Sequence, residues 1–420
     1  MNTILNSPFP VWAIAAVTAL GVITRPFRLP EAIWAVLGAL TLCFSGRLPW
    51  LEALHAVGKG MDVYLFLTGM MLASELARRE GLFDYMAVLA AQKADGSATR
   101  LFFLLYCVGT VVTILMSNDA TAVVLTPAVL AVVRAVRADR PLPYLYVCAF
   151  VANAASFVLP ISNPANLVIF REHMPTLATW VARFALPSVL SIVVTYMVLR
   201  LLQRGSLSQT IDKESEPPKL STAGRTTGWG IATMAVVMLG ASALGFPLGW
   251  PTFAAGVAVF VAVCLQKRRV LWDYLTEVSW AVLPLVAGLF VLVEGLQRTG
   301  VIDGLARLLG DLSRHSVSHA GWVSGITVAL AGNLINNLPA GLIAGSAVAA
   351  AHAPDRVANA VLIGIDLGPN LSITGSLATI LWLTALRREG VDVGALGFLK
   401  LGIAVMLPAL AAALGALQLA

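Results

Sequence analysis

The sequence predicts an all-α polytopic membrane protein, built as an inverted repeat with about ten spans, two re-entrant helical hairpins and two broken helices. Three observations carry this expectation. Of the 420 residues, 58 % are apolar and 12 % charged, about half the roughly 25 % charge usual in soluble domains. Uncharged runs long enough to cross a bilayer recur along the whole chain. Polar clusters then interrupt apolar segments at corresponding places in the two halves.

The same figures exclude several classes. A mean hydropathy of +0.84 rules out a soluble globular enzyme, a disordered chain and a disulfide scaffold. The alternating pattern of an outer-membrane barrel is missing. The formal charge of +6 comes from scattered Lys and Arg, with no basic run longer than Lys267-Arg268-Arg269; these read as topology signals rather than a nucleic-acid surface. Cys43, Cys107, Cys148 and Cys264 lie far apart within apolar runs and read as buried unpaired thiols. The first apolar run has no basic segment before it, so it is expected to stay as a membrane helix.

Ten runs are predicted to span, near 9–24, 30–45, 60–77, 143–170, 180–201, 228–246, 250–266, 278–297, 357–386 and 393–418. The soluble stretch 203–227, with Asp212, Lys213, Glu214, Glu216, Pro217 and Pro218, reads as a flexible linker. It separates a first repeat, 1–202, from a second, 228–420.

Two further runs do not read as simple spans. In 101–133 the only charge is Asp119, within Ser117-Asn118-Asp119; 320–351 is uncharged, with Asn333-Leu-Ile-Asn336-Asn337-Leu-Pro339 at its centre. Each arm would reach ~24 Å at 1.5 Å per residue, short of a ~30 Å hydrocarbon core. Both read as re-entrant hairpins whose tips must be buried in protein or line a cavity.

The halves repeat. A shift of 219 residues aligns Gly69 with Gly288, Glu75 with Glu294, Arg79 with Arg298, Gly81 with Gly300, Asp84 with Asp303 and Asn118 with Asn337. The last pair puts one hairpin tip on the other. Five spans per half invert the second copy. Orientation follows from the basic residues. With the N-terminus outside, 20 of the 28 Lys and Arg fall in cytoplasmic segments, so both termini are expected outside; the chain is expected in the inner membrane, which puts them in the periplasm. Hairpin one then enters from the cytoplasm and hairpin two from the opposite side.

The chemistry is expected where the fourth and ninth spans break. The fourth carries Asn153, Ser156 and Leu-Pro160-Ile-Ser162-Asn163-Pro164-Ala-Asn166. The ninth carries Asp366-Leu-Gly368-Pro369-Asn370-Leu-Ser372-Ile-Thr374-Gly375-Ser376. Proline removes a helical donor and glycine relaxes the backbone. Two broken helices and two hairpin tips, related by an inverted repeat, are the usual construction of a transporter site. Asn118, Asn163, Asn166, Asn337, Asn370, Thr374 and Ser376 are the candidate substrate-binding residues, the alternative being amides that only join helices.

Asp119 and Asp366 are the candidate coupling acids, because an intramembrane carboxylate usually has a task. Their repeat-related positions are Leu338 and, with a small gap change, about Ala154, so the acids are not duplicated. They read as proton carriers; Na⁺ ligation and a structural hydrogen bond are the alternatives. Glu75 and Glu294 read as partners of Arg79 and Arg298 at helical spacing, and Asp62 as interfacial. No Lys or Arg falls among the candidate residues, so a small neutral solute rich in hydroxyls fits better than a multiply charged carboxylate. No cofactor or metal ligand set is expected: there is no His-Glu-x-x-His, phosphate loop or Cys/His cluster, and the five histidines (55, 173, 315, 319, 352) fall near loops or hairpin ends. An intramembrane aspartyl hydrolase using Asp119 and Asp366 leaves the hairpins unexplained.

Four segments carry a family resemblance. Ser117-Asn118-Asp119-Ala-Thr121-Ala122-Val-Val-Leu-Thr126-Pro127, Leu159-Pro160-Ile-Ser162-Asn163-Pro164-Ala165-Asn166, Gly332-Asn333-Leu-Ile-Asn336-Asn337-Leu338-Pro339 and Gly368-Pro369-Asn370-Leu371-Ser372-Ile-Thr374-Gly375-Ser376-Leu-Ala-Thr379 resemble the arsenite efflux permeases of the ion-transporter superfamily. The similarity covers nearly the whole chain. It implies a scaffold domain, a transport domain moving as an elevator, and export of arsenite and antimonite as trivalent hydroxides in exchange for protons. It also implies a possible cytoplasmic arsenite-stimulated ATPase subunit as partner. Sodium-coupled dicarboxylate relatives carry Ser-Asn-Thr at both tips, unlike the Ser-Asn-Asp and Asn-Asn-Leu here; silicic-acid export is a further alternative. Thiolates bind trivalent arsenic tightly, but turnover needs release, so Cys107 and Cys148 are expected to be dispensable.

Overall fold

The computed structural model describes residues 7–171, 174–213, 219–267 and 271–419; Glu214, Glu216, Pro217 and Pro218 of the predicted linker, His173, Arg268 and Arg269 lie outside them. Among the described residues the chain is helical throughout, with a single isolated bridge, Ser97 to Thr210, outside helices.

The first half begins with α1 (Phe9–Thr24), α2 (Glu31–Phe44), α3 (Trp50–Gly58), α4 (Met61–Arg79) and α5 (Leu82–Ala94). Hairpin one follows as α6 (Ala98–Leu115), a π-helical turn (Ala120–Leu125) and α7 (Thr126–Ala135). The broken span is α8 (Leu142–Ala154), a 3₁₀ turn at Pro160–Ser162 and α9 (Pro164–Ile169), and α10 (Leu177–Leu202) ends the half. The second half runs through α11 (Thr222–Ala243), α12 (Gly249–Lys267), α13 (Leu271–Leu275), α14 (Val282–Gln297) and α15 (Val301–His315). Hairpin two is α16 (Val317–Ile335) and α17 (Asn337–Ala350); the second broken span is α18 (Asp355–Leu367), a 3₁₀ turn at Gly368–Asn370 and α19 (Leu377–Arg388); α20 (Ala395–Leu417) ends the chain.

Every predicted span thus corresponds to a helix or a broken helix pair. Among the described residues, five helices (α6, α10, α11, α12 and α20) are sufficient by length and composition alone to cross a bilayer, or six with α14 and α15, which are bent by 75° at their break. The others are shorter for visible reasons. The corner between α1 and α2 is fixed by Pro26 and Pro30 and by positive φ at Arg25 and Phe27, and α2, at 14 residues, reaches only ~21 Å.

Helices α3, α5 and α15 are absent from the predicted spans. The sequence hides α5 and α15 because Asp84 and Lys93, and Asp303, Arg307, Asp311 and Arg314, interrupt their apolar faces. They are repeat-related: Gly81 and Gly300, both with φ above +70°, open them in a left-handed conformation that favours glycine. The start of the linker is also held. Ile211 N–H donates to Gly96 O at 3.4 Å, Asp212 N–H to Val136 O at 2.9 Å, and Lys213 pairs with Asp95 at 2.7 Å. Residues 203–213 are therefore an ordered strap, not a flexible tether.

Several of the most extensive helix contacts cross between the halves. Helix α4 packs along α12, and α2 along α14, so the second and third spans of each half exchange partners. Small residues permit this. A Cβ on Gly69 would lie 2.3 Å from Thr252 O, and one on Gly288 2.7 Å from Ala35 O. The second group consists of α6 with α8, α16 with α18, and α10 with α20. It is braced by Trp382, whose indole N–H donates to Leu145 O at 3.1 Å, and by Phe150 stacked on Phe398 at 5.2 Å.

Candidate substrate site

At the first tip, α6 ends at Leu115 and the chain turns through Met116–Asp119. Ser117 Oγ accepts from Ala120 N–H at 3.3 Å and Asn118 Oδ1 from Asp119 N–H at 3.0 Å, so short polar side chains satisfy donors that the broken helix leaves open. The next turn is widened into a π-helix. Pro127 lacks an N–H to give to the preceding turn, and Thr126 Oγ1 instead donates to Ala122 O at 2.7 Å. Thr121 Oγ1 lies 2.8 Å from Thr113 Oγ1, which ties the two arms together.

The second tip is sharper. One residue, Asn336, separates α16 from α17, at φ 73° and ψ 151°. That region is populated almost only by glycine. Asn336 Oδ1 accepts from Leu338 N–H at 3.3 Å, capping α17, and Asn337 N–H donates to Gly375 O at 3.0 Å.

The broken spans are equivalent by geometry. Helices α8 and α18 each have 13 residues, and Asn163 and Ser376 cap α9 and α19 through their side chains. A shift of 213 superposes both features in sequence, which pairs Asp366 with Asn153, one residue from the Ala154 expected with a small gap change. Each break is tied to the hairpin of its own half: Ser162 Oγ donates to Ile114 O at 3.0 Å, and Thr374 Oγ1 to Asn333 O at 3.1 Å. Buried bonds between side chains of the two breaks also join the halves. Asn153 Nδ2 donates to Asn370 Oδ1 at 2.9 Å, and Asn163 Nδ2 to Asp366 Oδ1 at 2.8 Å.

These elements enclose a cavity of about 620 Å³, counting space open to solvent. Asn118, Asp119, Asn163, Asn336, Asn337 and Ser376 give its polar wall, and Leu67 on α4 with Val282, Leu285, Val286 and Leu289 on α14 give its apolar wall. Helices α17 and α19 start at this wall, so the positive ends of their dipoles and their first N–H groups lie beside it. Among the described residues no Lys or Arg lines it, but Glu31 does.

A second space borders the cavity. A vestibule of about 1300 Å³ bearing Glu75, Arg78, Glu277 and Arg388 shares Leu67, Asp119, Pro164 and Val282 with it. Asp119 therefore stands at the junction. A separate recess of about 1000 Å³, bearing Lys59, Asp62 and Arg171, opens on the other face. It shares no wall residue with the cavity; Val63 and Leu167 line the recess where Leu67 and Pro164 line the cavity.

Of the candidate binding residues, Asn118, Asn163, Asn337 and Ser376 line the cavity. Asn166, Asn370 and Thr374 do not. Asn166 Nδ2 donates to Ser156 O at 3.0 Å and Leu159 O at 3.2 Å, Asn370 holds Asn153 and Phe150 O, and Thr374 holds Asn333; they shape the breaks. Asp366 is fully buried behind Asn163, with Oδ2 unpartnered. Sequence reading passed over Glu31, Asn336 and Asn153 as site residues. Asn336 and Asn153 stood within the polar clusters; nothing local marked Glu31, which sits at a helix start after a proline like many surface glutamates.

Three ion-pair expectations resolve differently. Glu75 accepts from Arg79 Nε at 2.9 Å as expected, and also from Arg78 at 2.7 Å. Glu294 turns to Lys59 at 2.7 Å, while Arg298, just past the end of α14, pairs with Glu52 at 3.2 Å; the expected Glu294–Arg298 pair does not form. Asp62 accepts from Gly249 N–H at 2.8 Å, capping α12. All four cysteines are free, and none lines the cavity.

Residues 18–368 match the family model described as citrate transporter, CitMHS. The arsenical pump membrane protein of Escherichia coli K12 is 27 % identical over 428 residues, covering 97 % of each chain. An uncharacterized transporter of Mycobacterium tuberculosis is 27 % identical over 366 residues and 84 % of each chain. The crystal structure of the YdaH transporter of Alcanivorax borkumensis, described as having an unusual topology, superposes with a TM-score of 0.55 at 15 % identity, over 87 % of this chain and 86 % of that one. The full-length relatives agree with the resemblance carried by the four motifs, and the structural neighbour with a polytopic transporter fold.

Proposed function

The chain belongs to the citrate transporter family CitMHS, with arsenical pump membrane proteins as full-length relatives, and we propose that it exports arsenite and antimonite in exchange for protons. It is a transporter, as its family is, and not an enzyme. The observation that carries the substrate reading is the cavity wall: three amides from the two tips, Asn163, the Ser376 hydroxyl, the half-buried Asp119 and Glu31, with no lining cation among the described residues. Arsenous acid is a small, largely uncharged solute with three hydroxyls, which such groups can hold by donating and accepting. A polycarboxylate would meet acids and no free positive charge.

In this reading Asn118, Asn163, Asn337 and Ser376 contact the solute, while Asn166, Asn370 and Thr374 hold the breaks in place. Asp119 exchanges the coupling proton between cavity and vestibule. Asp366 is the second acid, reached through Asn163. The two hairpins and two broken spans form the transport domain of an elevator, with α2, α4, α12 and α14 as the scaffold. The chain sits in the inner membrane with both termini periplasmic, so the vestibule bearing Arg78 and Arg388 faces the cytoplasm. The gradient drives export without ATP on this chain, with or without a cytoplasmic ATPase subunit.

The deciding experiment is antimonite uptake by everted membrane vesicles under an imposed pH gradient, with and without Na⁺. Uptake that follows the pH gradient and ignores Na⁺ is expected. Uptake that needs Na⁺, or none with a well-expressed protein, rejects the reading. The family description favours one alternative, an organic anion, and citrate uptake in the same vesicles tests it.

A further inference from the structure

Glu31 opens α2 and faces the cavity from the scaffold side, across from Asn118 and Asp119. Its carboxylate is held by the guanidinium of Arg25, with side-chain exposures of 13 % and 22 %. Arg25 Nε and Nη2 and Glu31 Oε1 are all shielded from solvent. The contact depends on the corner between α1 and α2, where Arg25 adopts φ 46° and Phe27 φ 60° between two prolines. This turns the chain back so that a residue ending one helix meets the first residue of the next. The second half has no copy: the 219-residue shift places Leu244 and Trp250 opposite Arg25 and Glu31. A pair present once, at a cavity that the repeat otherwise builds twice, is not required by the architecture.

We propose that Glu31 sets the charge selectivity of the site, by occupying with its own carboxylate the cation that would otherwise bind an anionic substrate. This rests on the reading above of an uncharged solute. Arginine binds carboxylates and oxyanions through paired N–H donors, and a charge shielded from solvent is screened less than an exposed one. Left alone, Arg25 would make the scaffold wall cationic, and the cavity would suit a polycarboxylate. With Glu31 in place the pair is neutral, and Asp119 is the remaining charged group on the wall.

The test uses purified full-length protein in detergent, with citrate as probe and the thermal unfolding midpoint as readout. Wild type is expected to show no citrate-dependent shift. Glu31→Gln keeps the side chain's size and should gain a saturable shift, with apparent affinity at least roughly tenfold above any wild-type response. Arg25→Gln combined with Glu31→Gln should lose it again. A folded Glu31→Gln protein as indifferent to citrate as wild type overturns the proposal, as does a shift that survives removal of Arg25. Should Glu31→Gln not fold, Arg25→Gln combined with Glu31→Arg places one uncompensated cation at the same wall; citrate stabilisation supports the proposal and indifference overturns it. Wild-type antimonite flux is measured in parallel. Its absence would reject the function proposed above, while the citrate shift still reports on Glu31.

Discussion

The two intramembrane acids differ in what surrounds them. A carboxylate at mid-membrane carries a penalty of about 2.5–3.5 kcal/mol on insertion scales, so each must be compensated or used. Asp119 lines both the cavity and the vestibule. Asp366 is enclosed and accepts from Asn163 Nδ2. Asp119→Asn and Asp366→Asn should each abolish pH-driven antimonite flux while the protein stays monodisperse on size exclusion. Asp366→Leu should in addition lower stability by about 1–3 kcal/mol, because it leaves a buried amide donor unpaired. Normal pH-driven flux in either Asn variant would remove that acid from the coupling scheme. The thiols give the opposite prediction. Cys148 is buried on α8 and Cys107 half-buried on α6, both away from the cavity. Cys107→Ala and Cys148→Ala should export antimonite at wild-type rates per transporter, whereas a tenfold loss in either would point to thiolate ligation of the metalloid.

The tips are where helix geometry gives way, and they show how this is stabilised. Asn336 holds φ 73° with ψ 151°, a conformation costing on the order of 1–3 kcal/mol for a residue with a side chain. Its amide recovers part of that by capping Leu338 N–H. Asn336→Gly should therefore change the unfolding midpoint little, since it relaxes the backbone and loses only the cap. Asn336→Val, β-branched and without an acceptor, should lower it markedly. Equal midpoints for the two variants would mean that the tip can adopt another conformation. The tips and breaks were legible in the sequence because each combines an apolar run with Asn, Ser, Pro or Gly at its centre, and no loop can hide in a membrane. The amphipathic α5 and α15 were not legible as spans, because charges such as Asp84 and Arg307 break the apolar run. Glu31 was invisible for a different reason. Its placement depends on a corner with two positive-φ residues, and a sequence window records neither the turn nor what faces it. Asn166 and Asn370 were read as ligands because a buried amide can either bind substrate or satisfy backbone, and only the positions of Ser156 O and Phe150 O decide between these.

At the scale of the molecule, the two faces are unequal in their access to the site. Helix α4 runs past all three spaces. Met70 lines the vestibule, Leu67 the cavity, and Val63 the recess of the opposite face. Residues four apart on a helix are separated by about 6 Å along its axis. The barrier between cavity and recess is therefore about one helical turn thick, with Val63 and Leu67 on α4 beside Pro164 and Leu167 on α9. A displacement of the transport elements by a single turn would carry the cavity wall past Leu67 and connect it to the recess. This predicts a sharp boundary in chemical accessibility. In a background lacking the four native cysteines, Met70→Cys should react with a membrane-impermeant thiol reagent applied from the Arg78 face, and Val63→Cys only from the Asp62 face, although the two lie seven residues apart on one helix. Antimonite with an imposed pH gradient should raise the reactivity of Leu67→Cys from the Asp62 face, because turnover exposes that position to the recess. A Leu67→Cys protein that transports yet never reacts from that face would rule out a passage along this line and require the cavity to open elsewhere.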